Sequence, residues 1–240
     1  MDGNDNMNSF FNPWLTFSLL LLLIWFIIWL FKSSLRKEMF WVSLFTMPFG
    51  LTEPLFVPEY WNPPSLFNLA AKTGFDIESL IFCFAVGGIG AVLYEALVKV
   101  KHQKISRHEK HRKKHRFHLL ALSSPVIIFL PLQLFTNLNP IYSASIAMFV
   151  GGIAAIFCRS DLKRKIEVGG VSFLALYFVF FLLFNLAYPN LVPEIWNLSA
   201  ISGILLLGVP LEELMFAFTF GMLWSSIYEH IMWYRVIKVK

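Results

Sequence analysis

The stretch VPEYWN at residues 57–62 returns as VPEIWN at residues 192–197, and the two copies differ only at Tyr60 and Ile195. Pro, Glu, Trp and Asn keep their order, which chance similarity between apolar segments would not preserve. We therefore interpret the pair as landmarks of an internal repeat.

The same repeat extends on both sides of these landmarks. Downstream, DIESLIFCFAVGGIGAVLYEAL (76–97) aligns with PLEELMFAFTFGMLWSSIYEHI (210–231). Upstream, NPWL and FKSSLRK, from Asn12 onward, align with NPIY and CRSDLKRK, from Asn139 onward. The sequence thus predicts a duplicated unit within a single membrane domain covering 1–240. The predicted segments are repeat 1 at 12–100, a basic loop and linking helix at 101–138, and repeat 2 at 139–235.

The composition indicates a polytopic membrane protein. Of the 240 residues, 57% are hydrophobic and 15% charged, whereas soluble domains carry about 25% charged residues. A membrane-spanning helix needs about 20 apolar residues. Segments that meet this rule are 14–31, 39–56, 76–98, 117–136, 141–158, 168–187 and 203–233. We expect an all-α bundle of seven transmembrane helices, the last beginning as a re-entrant or interfacial piece.

The distribution of basic residues predicts the orientation. The clusters follow the first, third, fifth and seventh predicted spans, and the richest is the loop from Lys99 to Arg116. Cytoplasmic loops are enriched in Lys and Arg, so we expect the N-terminus outside and the C-terminus in the cytoplasm. The net charge of +5 then reflects topology and contact with the lipid bilayer, and no nucleic-acid partner is expected. We expect the cell membrane as location, and self-association into a homo-oligomer is left open.

Counting the crossings predicts how the repeats are related. Three spans end on the opposite side from their start, and the linking helix returns the chain, so the repeats should be parallel. A pseudo-two-fold axis along the membrane normal would place equivalent residues at equal depth. We therefore expect Glu78 to face Glu212 and Glu59 to face Glu194 across a shared interface.

The adjacent carboxylates Glu212 and Glu213 open the last apolar segment, and Glu78 is the repeat equivalent of Glu212. Ionisable groups inside a membrane segment are costly and usually functional. Two neighbouring carboxylates cannot both ionise easily in a dry site, so one is expected to hold a proton and act as a general acid. A structural role at the positive end of a helix is the alternative.

Two further groups are candidates for substrate contact. Glu59, Glu194, Trp61 and Trp196 lie in the repeated loops, where the alternative is rigid turns with interfacial aromatic anchors. Phenylalanines are expected to line the cavity between the repeats, because aromatic faces stabilise a passing carbocation; the alternative is core or lipid-facing bulk. The candidates are Phe82, Phe216 and Phe220.

The remaining ionisable and sulfur-containing residues are given structural roles. Glu95 and Glu229, at the basic face, are predicted to form salt bridges or lie at the interface. The basic loop places three histidines at near-helical spacing: His108, His111 and His115. No cysteine or carboxylate cluster joins them in the sequence, and Cys83 and Cys158 are interpreted as small buried hydrophobic residues. No metal site is therefore predicted, and without a glycine-rich dinucleotide motif no cofactor is expected.

The stretch Pro210-Leu211-Glu212-Glu213 matches a Pro-x-Glu-Glu/Asp motif. With two three-span units, the chain resembles the integral-membrane lycopene cyclases of carotenoid biosynthesis, in their fused two-repeat form. The first repeat has Asp76-Ile77-Glu78-Ser79 at this place and keeps only one of the acids. The resemblance implies proton-initiated ring closure at an end of lycopene without net redox change. It also implies Glu212 and Glu213 as the catalytic residues, with Glu78 as their partner.

We therefore predict an intramolecular lyase or isomerase acting on a lipophilic polyene. A retinal protein is excluded because residues 211–233 contain no lysine for a Schiff base. A membrane prenyltransferase would need two Asp-rich motifs to hold diphosphate through Mg²⁺, and the sequence has none. The alternative that stays open is a non-enzymatic lipophile-binding or proton-coupled transport protein that uses the same carboxylates.

Overall fold

The computed structural model describes residues 12–110 and 115–238, so His111 lies outside the described part. The described chain is nearly all-α. Its α-helices are α1 (Pro13–Phe31), α2 (Arg36–Thr46), α3 (Leu69–Thr73), α4 (Ile77–Leu97), α5 (Arg107–Lys110), α6 (His118–Phe135), α7 (Pro140–Cys158), α8 (Lys163–Ala187), α9 (Leu191–Ile195), α10 (Leu211–Trp224) and α11 (Ile227–Met232). Its short strands are β1 (Val100–Lys104), β2 (Leu205–Leu206), β3 (Val209–Pro210) and β4 (Tyr234–Lys238). The strands form two antiparallel pairs, β1 with β4 and β2 with β3.

Five helical segments are long and apolar enough to cross a membrane: α1, α4, α6, α7 and Ser160–Ala187, which contains α8. They coincide with five of the seven predicted spans, so the structure supports a membrane protein. The other two predicted spans are interrupted. Residues 39–56 pass from α2 into a 3₁₀ segment, Met47–Leu55, and residues 203–233 divide into β2, β3, α10 and α11. The number of seven spans stays a prediction.

The repeated Asn-Pro pairs begin α1 and α7. The Asn12 side-chain oxygen accepts hydrogen bonds from the backbone N–H groups of Trp14 (2.9 Å) and Leu15 (3.2 Å). The Asn139 side-chain oxygen accepts one from the N–H of Ile141 at 3.2 Å. Asparagine is a favoured N-cap, and proline fits the first helical position because its missing N–H would have no partner there. The recurring dipeptide therefore marks a helix start in each copy.

The chain divides into two compact units, and unit 1 comprises the described residues up to Ile89 together with Phe180–Pro210. Phe17 of α1 packs edge-on against Phe180, Phe181 and Phe184, with ring centroids 4.8, 5.6 and 5.0 Å away. Trp25 donates its indole N–H to Ser43 Oγ at 2.8 Å. Unit 1 thus has an aromatic core, in which the buried indole N–H of Trp25 is paired.

The two repeated loops pair with each other inside unit 1. Trp61 and Trp196 form an isolated antiparallel bridge. The Asn62 N–H donates to the Ile195 carbonyl at 2.8 Å, and the Asn197 N–H donates to the Tyr60 carbonyl at 2.9 Å. These backbone bonds give the rigid Val-Pro-Glu-x-Trp-Asn segments a structural role.

Unit 2 comprises Gly90–Val179 and the described residues from Leu211 onward. Within it α7 packs against both α6 and α10. Helices α8 and α10 approach closely because both carry glycine at their contact. A Cβ atom at Gly169 of α8 would lie 2.4 Å from the Cβ of Ser225, and one at Gly221 of α10 would lie 2.8 Å from the Gly169 carbonyl oxygen.

A buried ion-pair cluster, defined as Glu95, Glu229, Lys165 and His102, lies in unit 2. Lys165 Nζ is 2.7 Å from Glu95 Oε1 and 2.6 Å from Glu229 Oε1. His102 Nε2 is 3.1 Å from Glu95 Oε1 and 2.8 Å from Glu229 Oε1. The side chains of Glu95, Glu229 and Lys165 are at most 2% exposed. The salt bridges predicted for Glu95 and Glu229 are therefore present, and the two glutamates share one lysine.

We expect Gly221→Ala to destabilise the protein by about 1–3 kcal/mol, the usual range for overpacking. The added methyl group would meet the Gly169 carbonyl oxygen and Phe173 Cβ, which is 2.6 Å away, and backbone cannot move aside cheaply. This cost exceeds the gain of up to about 1 kcal/mol that alanine brings to a helix. The measurement is the thermal unfolding midpoint in detergent.

Gly152→Ala in α7 is the matched control. Its new Cβ would meet nothing closer than the Cβ and Cε atoms of Met222, at 3.2 and 3.3 Å, so only a side chain has to give way, by a few tenths of an ångström. We expect little change in the midpoint, and an equal loss in both variants would contradict the argument from backbone contact.

Candidate active site

The acidic doublet, Glu212 and Glu213, occupies the first turn of α10 and is buried, with exposed fractions of 1% and 5%. Tyr142 of α7 donates its hydroxyl to Glu212 Oε1 at 2.5 Å. Tyr177 of α8 donates its hydroxyl to Glu213 Oε2 at 2.8 Å. Each carboxyl group therefore contacts a different phenol on a different helix.

The local chain explains why the doublet is buried at a helix start. Strand β3, which ends at Pro210, pairs with β2 in a hairpin and leads directly into α10. The positive end of a helix stabilises carboxylates in its first turn. Hydrogen bonds from the two phenols reduce the further cost of burying the acids.

Glu78 lies in unit 1, in the first turn of α4, and is fully buried. Its Oε1 accepts hydrogen bonds from the Asn12 side-chain N–H at 2.9 Å and from the Leu66 backbone N–H at 2.6 Å. Both partners can only donate, so Glu78 acts as an acceptor in these contacts. Its predicted position opposite Glu212 stays a prediction.

Phe82 and Phe216 lie one helical turn after the acids, and Phe220 lies one turn further along α10. Phe82 follows Glu78 by four residues and packs against Trp14, with ring centroids 5.2 Å apart. Phe216 follows Glu212 by four residues and stacks on Phe220 at 5.4 Å. Residues four apart share one face of a helix.

In unit 2 the aromatic side chains continue to the partner of Glu213. Phe216 lies 6.2 Å from Tyr177, and Phe220 lies 5.1 Å from Phe173, measured between ring centroids. The phenol of the Glu213–Tyr177 pair therefore adjoins the ring of Phe216, and stabilisation of a cation by these rings stays a prediction.

The predicted loop residues have different surroundings. Trp196 is buried, with its ring 5.7 Å from Trp61 and 5.4 Å from Phe181. Glu59 and Glu194 are exposed. The tryptophans therefore pack within unit 1, and substrate contact by these four residues stays a prediction.

A cavity of about 530 Å³ lies within unit 1. Glu194 lines it, together with Glu53, which is 5% exposed and accepts a hydrogen bond from Ser79 Oγ at 2.8 Å. Glu53 was not among the predicted site residues, and the second predicted repeat has Tyr188 at its place. Other lining residues are Pro13, Pro54, Asn62, Ser65 and Ile195.

Tyr142 and Tyr177 are further candidate site residues that the sequence analysis did not identify. Both lie in apolar helices far along the chain from the doublet, where tyrosine is an ordinary aromatic residue. Only the contacts of α7 and α8 with the start of α10 show that the hydroxyl groups meet Glu212 and Glu213.

Comparison with known protein families shows which family the chain belongs to. The family model described as lycopene cyclase matches residues 12–97 and 139–231. The chain belongs to the lycopene cyclase family. No curated protein and no solved structure matched it. Membership of this family implies an enzyme and suggests carotenoid cyclase function.

The lycopene cyclase match covers the candidate active site and leaves a central segment outside it. Glu78, the acidic doublet, Tyr142 and Tyr177 all lie inside the matched residues. Residues 98–138, which contain β1, α5 and α6, lie between the two matched stretches. The two stretches fall inside the predicted repeats at 12–100 and 139–235.

Proposed function

We propose that the protein closes a ring at an end group of lycopene or a closely related polyene by proton-initiated cyclisation. The observation that carries this proposal is the buried acidic doublet, each carboxyl group of which contacts a tyrosine hydroxyl at the start of α10. Family membership supplies the carotenoid substrate class.

The proposed reaction begins with proton transfer from the doublet. A carboxyl group gives its proton to one carbon of the terminal double bond, and the positive charge forms on the other carbon. The electron pair of a neighbouring double bond attacks that carbon, which forms the ring bond and moves the charge onto a ring carbon. A carboxylate then removes a ring proton, so the product is an isomer of the substrate. Proton transfer of this kind contributes about 10²–10⁴-fold to a rate.

The surrounding residues have distinct proposed roles. Tyr142 and Tyr177 orient the carboxyl groups of Glu212 and Glu213, and the tyrosine hydroxyl can relay the returning proton. Phe216 and Phe220 present aromatic faces toward the developing charge. These roles require no cofactor.

Other features of the proposal concern the arrangement in the membrane. We place the N-terminus outside and the C-terminus in the cytoplasm, with seven crossings and two parallel repeats. Glu78 would then act as the partner carboxylate, accepting the proton lost by the ring. Phe82 would line the substrate path, with Trp61, Trp196, Glu59 and Glu194 contacting the polyene at the repeated loops.

Expression in a bacterial host that accumulates lycopene tests the proposal. We expect new carotenoids of unchanged mass and a shifted absorption spectrum, separated by liquid chromatography. Membranes supplied with unlabelled lycopene in deuterated buffer should add one deuterium for each ring closed, because the initiating proton comes from an exchangeable acid. Unchanged lycopene together with bound pigment in the purified protein would overturn the proposal in favour of a binding protein.

A further inference from the structure

Three potential metal ligands meet in unit 2, away from the candidate active site. His115 and His118 lie just before and at the start of α6, and Cys158 ends α7. All three are buried, with exposed fractions of 6%, 7% and 6%. One donor atom of each lies within 4.8 Å of the donor atoms of the other two.

The sequence predicts no metal at the histidines, because no cysteine or carboxylate cluster joins them in the chain. The fold brings the cysteine Cys158 next to His115 and His118. Helices α6 and α7 pack as an antiparallel pair joined by a short turn, so the end of α7 returns to the start of α6. Of the three histidines considered there, His115 takes part in this group and His108 does not.

The distances suit a zinc-class ion. The Cys158 Sγ lies 3.4 Å from His118 Nδ1 and 4.0 Å from His115 Nδ1. In a tetrahedral site with Zn–S of about 2.3 Å and Zn–N of about 2.0–2.1 Å, sulfur and nitrogen ligands are separated by about 3.5 Å. Shifts of roughly half an ångström, small for side chains, would bring both pairs to the separation that such an ion imposes.

An aromatic side chain covers the group. Trp233 stacks on His118 with ring centroids 4.0 Å apart, and its ring lies 5.3 Å from His115. The indole therefore shields the donor atoms from water.

The positive charge next to the group is partly compensated. Arg159 follows Cys158 and is fully buried. Its guanidinium pairs with the Asp161 carboxylate through contacts of 2.9 and 2.7 Å and donates to the carbonyl oxygen of Tyr234. Asp161 thus compensates the arginine charge next to the site.

We propose that His115, His118 and Cys158 bind one divalent transition-metal ion of the zinc class and so link the start of α6 to the end of α7. The two nitrogens and the thiolate sulfur are donors that zinc prefers. Among the described residues no other His, Cys, Asp or Glu joins this group. Binding releases the thiol proton, because the metal takes the thiolate. The proposal is independent of the cyclisation.

Metal analysis of the full-length protein, purified in detergent without a polyhistidine tag, tests the proposal. We expect about one zinc ion per chain by mass spectrometry. Cys158→Ser and His118→Ala should lose it. Cys83→Ser should retain it, because Cys83 lies in α4 and outside the group. A wild-type zinc content no higher than that of Cys158→Ser would overturn the proposal.

Cobalt substitution provides a second measurement, which does not depend on whether the Cys158 and His118 variants fold. After removal of metal by a chelator, the wild-type protein and Cys83→Ser should bind added Co²⁺ and gain a thiolate-to-cobalt charge-transfer absorption. Absence of that absorption in the wild type would mean that the cysteine is a hydrogen-bonded thiol and not a ligand.

Discussion

Glu212→Gln is expected to lower lycopene conversion by about 10²-fold or more, the range that loss of a general acid produces. Glutamine keeps the size of the side chain and an oxygen that can accept from Tyr142, whose hydroxyl lies 2.5 Å from Glu212. It has no carboxyl proton to give to the polyene. Glu213→Gln tests the other half of the doublet. The measurement is product formed per amount of membrane-inserted protein in the lycopene-accumulating host.

Glu167→Gln is the matched control for these variants. Glu167 lies on α8, its side chain is 52% exposed, and its nearest cation is Lys163 at 3.7 Å. We expect wild-type conversion from it. Tyr142→Phe should give an intermediate loss, because the acid remains but loses its orienting hydroxyl. Full conversion by both doublet variants would show that neither acid supplies the proton.

Lys165→Met is expected to destabilise the protein by about 3–5 kcal/mol, the cost of removing one partner from a buried ion pair. The lysine contacts both Glu95 and Glu229 at 2.7 and 2.6 Å, and all three side chains are buried. Without it, the two carboxylates would lose the cation that both of them contact. Chemical unfolding in detergent and the yield of inserted protein measure the effect.

Lys163→Met on the same helix is the matched control. Its salt bridge with Glu167 joins two exposed side chains, with exposed fractions of 60% for Lys163 and 52% for Glu167. Exposed pairs of this kind contribute about 0–1 kcal/mol to stability. Adding Glu95→Gln and Glu229→Gln to Lys165→Met should restore part of the lost stability, because the uncompensated charges disappear. Equal effects of Lys163→Met and Lys165→Met would contradict the proposed importance of burial.

Local signals predicted several features well. The acidic doublet begins α10, and Glu95 and Glu229 form salt bridges on the basic side of the chain. Each of these features depends on neighbouring residues or on the need to compensate a buried charge.

Features formed by distant residues were not predicted. The identity of the lysine that Glu95 and Glu229 share, the tyrosines at the acidic doublet and the approach of Cys158 to His115 all depend on helix packing. In the sequence these side chains are ordinary members of apolar helices or basic loops. Hydrophobic periodicity reports which segments are buried, and it does not report which side chains meet.

The predicted span 39–56 differs from the structure for another reason, the prolines within it. An apolar stretch of sufficient length satisfies the hydropathy rule, but Pro48 and Pro54 remove backbone donors within it. The segment accordingly becomes a 3₁₀ helix from Met47 to Leu55. Composition alone therefore overstated the regularity of this region.

Lys165 also bears on the predicted duplication of the chain. Extending the alignment of FKSSLRK with CRSDLKRK by one residue places Glu38 opposite Lys165. The two predicted repeats thus carry opposite charges at one aligned position. A chimera carrying the second predicted repeat twice would exchange an acid for a base there, so we expect the predicted repeats not to substitute for each other.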